Sequence, residues 1–175
     1  MSDELELFFG ITNEYRVSVF GPEGDLRRIV TKPVEPAPVT ERDIEMMWEA
    51  IEQQVRREVP SESFMQVMQQ TRQSVTFAEF FPAFVSMSIG PNGSIWVQRL
   101  RPPAEVTEEE LETYDMTQDI GSRDWDVFAP GGRYLGVVTM PPRFVPRIIL
   151  DGKIHGVWRD DLDVQYVMRF RIVEG

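Results

Sequence analysis

Trp125-Asp126-Val127-Phe128-Ala129-Pro130-Gly131-Gly132-Arg133-Tyr134 reads as a strand, a tight turn and the start of a second strand. Proline presets φ at the second turn position, and a following glycine tolerates a left-handed backbone. β-branched and aromatic residues flank the turn, so the segment is predicted to be a hairpin. Gly21-Pro22-Glu23-Gly24 and Gly90-Pro91-Asn92-Gly93 repeat the turn pattern. Leu150-Asp151-Gly152-Lys153 supplies a fourth turn, where Asp-Gly favours a two-residue primed loop.

Two of these hairpins match beyond the turn. At an offset of 108 residues Val19 aligns with Val127, Phe20 with Phe128, Pro22 with Pro130 and Gly24 with Gly132, and the match continues through Val30/Val138, Thr31/Thr139 and Pro33/Pro141. The other two hairpins correspond as well, with Ser94-Ile95-Trp96-Val97 after one turn and Lys153-Ile154-His155-Gly156-Val157-Trp158 after the other. Two hairpin types therefore alternate, as expected of a unit with four strands, a to d. The predicted order is b-c-d over 5–32, a-b-c-d over 83–140 and a-b-c over 146–173. The two a–b turns lie 61 residues apart, more than the roughly 40–45 residues of a common β-propeller blade. An acidic insertion loop over 102–123 accounts for the excess. A helical insertion is expected over 39–76. Thr40-Glu41-Arg42-Asp43 reads as an N-cap with acids in the first turn, and Ile44, Met47, Trp48, Ile51 and Val55 recur at helical spacing. The predicted fold is mostly β: a partial β-propeller of about two and a half to three four-stranded antiparallel blades, forming a single domain over 1–175.

The chain has 175 residues, 42% of them hydrophobic, enough for one domain with a core. Its 18 basic and 29 acidic residues leave a net charge of −11. That charge repels nucleic acid and anionic membranes, so neither is expected as a partner. There are no cysteines and one histidine, His155, which excludes thiol chemistry and every site needing two imidazoles. No apolar run is long enough to span a membrane. The acidic N-terminus lacks a signal-peptide pattern, so a cytoplasmic location is expected for the chain as written. An extracytoplasmic one is expected if it is part of an exported propeller.

The segments Trp125-Asp126-Val127-Phe128, Gly132-Arg133-Tyr134-Leu135-Gly136 and Gly156-Val157-Trp158-Arg159-Asp160-Asp161-Leu162-Asp163-Val164 resemble the C-terminal half of bacterial six-bladed, NHL-like β-propeller proteins. Phe84 to Val97, with its Gly90-Pro91-Asn92-Gly93 turn, resembles their blade motif. The resemblance implies a six-bladed ring of about twice this length. Missing blades, or a second copy, would then complete it. Open sheet edges invite pairing with another chain, so a homodimer closing one ring is the expected arrangement.

In a propeller the d–a and b–c connections emerge on one face. Both insertions are expected there, as the working surface or as a cap over the rim of the sheets. His155 reads either as an acid–base group or as a strand residue with one hydrogen-bond partner. Asp160, Asp161 and Asp163 form a carboxylate run that reads either as a calcium site or as a solvated b–c turn with Arg159 as counter-charge, and the lack of the Asp-x-Asp-x-Asp-Gly loop spacing favours the turn. Trp48 is expected to anchor the helices to the sheets, and Trp96, Trp125 and Trp158 to fill space between blades. The binding candidates are His155, Arg159, Asp160, Asp161, Trp96 and Gln98. No catalytic residue, metal ligand or cofactor is expected. The functional expectation is a non-catalytic binding or scaffold propeller for a protein or small ligand. The alternative is part of a calcium-dependent propeller hydrolase or lactonase. That chemistry, by family analogy, needs Glu, Asn and Asp on a central metal, and this chain has only Asn13 and Asn92.

Overall fold

A computed structural model describes residues 5–111, 114, 119–160, 162 and 164–173. The chain is mostly β, and the described residues hold ten strands in three antiparallel sheets. The first sheet is β1 (Leu7–Ile11), β2 (Arg16–Phe20) and β3 (Leu26–Thr31), in that spatial order. The second is β4 (Ser86–Ile89), β5 (Ile95–Leu100), β6 (Gly121–Phe128) and β7 (Tyr134–Thr139), again in chain order. The third is β8 (Phe144–Leu150), β9 (Lys153–Arg159) and β10 (Gln165–Arg171), with β9 in the middle. Each sheet is a meander of neighbours, which is the b-c-d, a-b-c-d and a-b-c order read from the turns.

The three Pro-x-Gly hairpins close in the same way. Gly24 donates to the Gly21 carbonyl (3.0 Å), Gly132 to Ala129 (2.8 Å) and Gly93 to Gly90 (3.3 Å), and the residue before each proline donates to the carbonyl four residues on. The closing glycine is left-handed each time, with φ of 83° at Gly24, 79° at Gly93 and 86° at Gly132. Asp151 (φ 51°) and Gly152 (φ 65°) are both left-handed, as a primed turn requires. Even the irregularities repeat. Register shifts between Val19 and Phe20 and again, 108 residues on, between Val127 and Phe128.

Two apolar clusters hold the sheets face to face. Tyr15, Val17, Val19 and Val30 of the first sheet pack with Phe84, Ile95, Val97 and Phe128 of the second. Trp96, Trp125 and Val127 of the second pack with Phe144, Ile149 and Ile154 of the third, with Met140 between. Strand alternation explains the split. Ile95 and Val97 point to one side of β5 and Trp96 to the other, so the second sheet is covered on both faces. Trp96, Trp125 and the partly buried Trp158 thus fill space between neighbouring sheets.

By contact the chain divides into two compact units. The sheets occupy Met1–Val34, Ala83–Leu100 and Gly121–Gly175, and the insertions occupy Glu35–Pro82 and Arg101–Ile120. In the insertion unit α1 (Glu41–Glu58) begins with a capping box. The Asp43 amide donates to Thr40 Oγ1, and the Thr40 amide donates back to the Asp43 carboxylate (2.8 Å). Helix α2 (Phe64–Ser74) follows Pro60. The two ends of the helical segment are stitched by Val39 donating to Glu79 and Phe81 donating to Ala37. Trp48 packs edge-on to Phe77 at 5.4 Å and under the Arg72 guanidinium, all inside this unit. A short helix α3 (Glu108–Leu111) lies in the acidic segment.

Gly156 tests the close approach of β8 and β9. A Cβ there would collide with the Val145 carbonyl and the Phe144 ring, whereas one at Gly131 meets nothing within 4 Å. Chemical denaturation is expected to show Gly156→Ala costing about 1–3 kcal/mol and Gly131→Ala less than about 0.5 kcal/mol. Equal effects would count against this packing of β8 on β9.

Candidate functional site

The candidates read from the sequence do not converge. Trp96 is buried, its indole donating to Ser94 Oγ at 3.2 Å. Gln98 clasps its own sheet, accepting from Ser86 Oγ (2.8 Å) and donating to the Ser122 carbonyl (3.0 Å). His155 is a half-buried strand residue of β9, opposite Ile148 and Arg169. The Arg159 amide donates to the Arg143 carbonyl at the end of that strand. Asp160 organises the turn after β9. Its Oδ1 accepts from the amides of Leu162 and Val164 at 2.9 Å each, and its Oδ2 from the Tyr166 hydroxyl. The Val164 amide leads in holding its pKa below the usual range. Asp161 and Asp163 lie outside the described residues. Among the described residues no group of three or more His, Asp or Glu is placed to hold a metal ion.

The densest polar cluster centres on a residue the sequence reading passed over. Asp126, on the first-sheet side of β6, has no exposed surface. Lys32 Nζ donates to both its oxygens at 2.8 Å. Arg99 donates to Oδ1 through Nε (3.1 Å) and Nη2 (2.7 Å). The Tyr15 hydroxyl donates to Oδ2 (2.8 Å) and the Tyr134 hydroxyl to Oδ1 (2.9 Å). The Lys32 ammonium also lies over the Tyr134 ring at 5.0 Å. Burial pushes the Asp126 pKa up, but the hydrogen bonds from Arg99, Lys32, Tyr15 and Tyr134 outweigh it and leave it at about 2. Burial and the bond to the carboxylate raise both tyrosine pKa values, and that same carboxylate raises the arginine's.

Every lone pair of Asp126 is engaged, so the carboxylate is not free to act as a base. The cluster ties the first sheet to the second. Its partners come from just before β2, just after β3, from β5 and from β7. One signal could have found it: alternation places Asp126 on the same buried face as Phe128, and an inward carboxylate must be paired.

In the insertion unit Glu110 accepts from Arg101 (2.6 Å) and from Thr107, and the Arg101 guanidinium leads in holding its pKa at about 2. Tyr114 donates to the Arg101 carbonyl. Burial first, then the charge of Asp119, pushes its pKa up to about 12, and Asp43 of α1 adds to the rise. Glu41, Glu45 and Glu49 form an exposed i, i+4 stripe on α1. Like charges at that spacing cost helix stability. An open cavity of about 740 Å³ lies against α1 and α2, with Arg56, Phe64, Met65, Met68 and Arg72 in its lining.

No family model, no curated protein and no solved structure matches the chain.

Asp126→Asn is expected to lower stability at pH 7 by about 3 kcal/mol, because it strands two cations beside a neutral amide. The folded pKa lies below the ordinary value of 3.8. The ionised carboxylate therefore stabilises the fold above pH 4 or so, and that contribution fades as pH falls toward 2. Paired urea titrations between these limits should show the gap between wild type and variant narrowing by about 2 kcal/mol. A gap independent of pH would refute this account of Asp126.

Proposed function

We propose that this chain is a non-catalytic binding or scaffold module. The three sheets act as adjoining blades of a partial β-propeller, and the insertion unit holds a cationic partner. The propeller reading is supported by the repeated turn geometry and by the stacking of each sheet on the next in chain order. The binding reading rests on one observation, the partition of charge. The insertion unit carries 5 basic and 16 acidic residues, a net −11. The sheet unit carries 13 of each and is neutral. The whole charge of the protein thus sits on the unit that interrupts the repeat. A cationic partner would be steered there over a distance that shrinks with salt.

An oligolysine peptide followed by amide chemical shifts tests this. Shifts are expected within 35–82 and 101–120. Binding should weaken at least about tenfold when salt rises from about 0.05 M to about 0.5 M, and again in Glu105→Lys/Glu108→Lys/Glu109→Lys. Shifts confined to the sheets, or stoichiometric calcium binding by calorimetry, would overturn the reading, the latter in favour of a metal-dependent hydrolase.

The two end sheets also leave apolar residues on their outer faces. Leu7, Phe9 and Ile29 are exposed on the first, and Val145, Ile148 and Leu150 on the third. A second copy closing one ring would cover them. Light scattering is expected to give a dimer, and a stable monomer at high concentration would sink ring closure.

A further inference from the structure

The edge strands of the three sheets are not alike. A sheet edge offers unpaired N–H and C=O groups to any extended chain, and proteins blunt such edges with bulges, prolines or short strands. Here β3 and β7 carry an extra residue at their register shifts, Arg27 and Leu135. β8 is interrupted beside Pro146. β4 has four residues and β1 five. β10 differs from all of these. It runs for seven residues, pairs with β9 without a register shift, contains no proline, and is exposed at six positions. Among the described residues no strand pairs with its far side.

The second sheet indicates what that side lacks. β8 and β9 correspond to β4 and β5 in the sequence repeat, so β10 stands where β6 stands. β6 is followed by β7 on its far side, and among the described residues no strand takes that place beside β10.

Chemistry narrows the occupant. Side chains alternate along β10. Tyr166, Met168 and Phe170 lie on the inner face, where Phe170 meets Phe144 at 4.8 Å. Val167, Arg169 and Arg171 lie on the outer face, in register with Val157, His155 and Lys153 of β9. No strand position on that outer face is acidic. A second β10 would bring four arginines together without a carboxylate, which disfavours self-pairing. A strand with carboxylates opposite Arg169 and Arg171 and apolar residues between them satisfies both faces.

We propose that β10 is a strand-addition site that takes an extended, acidic-apolar peptide segment of a partner protein as the fourth strand of its sheet. Main-chain bonds along the edge supply affinity, and the two arginines select for acid. The site lies at a sheet edge and is distinct from the outer sheet faces that a second copy would cover.

The probe is the peptide Glu-Val-Glu-Val-Thr-Val-Thr, blocked at both ends. Antiparallel addition sets its first glutamate opposite Arg171 and its second opposite Arg169. Hydrogen exchange read by NMR is the measurement. Alternate β10 amides, those facing away from β9, should exchange fast in the free protein and slow when peptide is added. The peptide with glutamine in place of both glutamates should bind about tenfold more weakly, and Arg169→Glu/Arg171→Glu should lose the glutamate peptide to a similar degree. Three results would overturn the proposal: equal binding of the two peptides, protection appearing anywhere but β10, or outward β10 amides already protected in the free protein because the edge is filled. The readout lies on β10 and uses an anionic probe, so it fails or succeeds independently of the oligolysine experiment on the insertion unit.

Discussion

A carboxylate stripped of water must be paired, and the sheet unit is organised around that demand at Asp126. Its partners are far apart in sequence: Tyr15 is 111 residues away and Lys32 is 94. They become neighbours only when the first sheet lies against the second in one register. A shift of β6 by one residue would turn Asp126 to the opposite face, toward the apolar Trp96, Phe144 and Ile154, and leave Arg99 and Lys32 without it. Apolar packing alone tolerates sliding. The carboxylate with two cations and two phenols does not, so it selects one stacking of the sheets among those that bury similar area.

The same economy governs the rest of the charge. The sheet unit balances its acids with bases, and part of that balance is made by contact, at Asp126 and between Arg28 and Glu6. The insertion unit keeps a large excess of acid. Some of it is used locally, as with Asp43 at the α1 cap and Glu110 on Arg101. The α1 stripe of Glu41, Glu45 and Glu49 is not balanced in this way, and it is held despite the cost to the helix. The buried charge pairing and the excess of acid thus fall to different parts of the chain. The stitched ends at Ala37–Val39 and Glu79–Phe81 close the helical segment on itself.

The strands were legible because their signals are local. Turn residues act within four positions, and alternation within five or six, so Pro130-Gly131-Gly132 and its relatives announced the hairpins and their order. Thr40 announced the start of α1 for the same reason, since a cap and its partner Asp43 are three residues apart. The candidate site was not legible. His155, Arg159 and Asp160 stood out as local features of β9 and the turn after it, whereas Trp96 packs the second sheet against the third and Gln98 clasps its own sheet. Asp126 looked like one more polar residue in a strand.

What the sequence determined by itself was the list of strands, their antiparallel order, and the two insertions that interrupt them. Each depends on backbone preferences that act over a few residues. Only the tertiary structure decided which faces meet, where the buried charge finds its partners, and which edge is left open. Those outcomes depend on side chains brought together across a hundred residues, and on no strand among the described residues lying beyond β10. Neither is written in any local run of the chain.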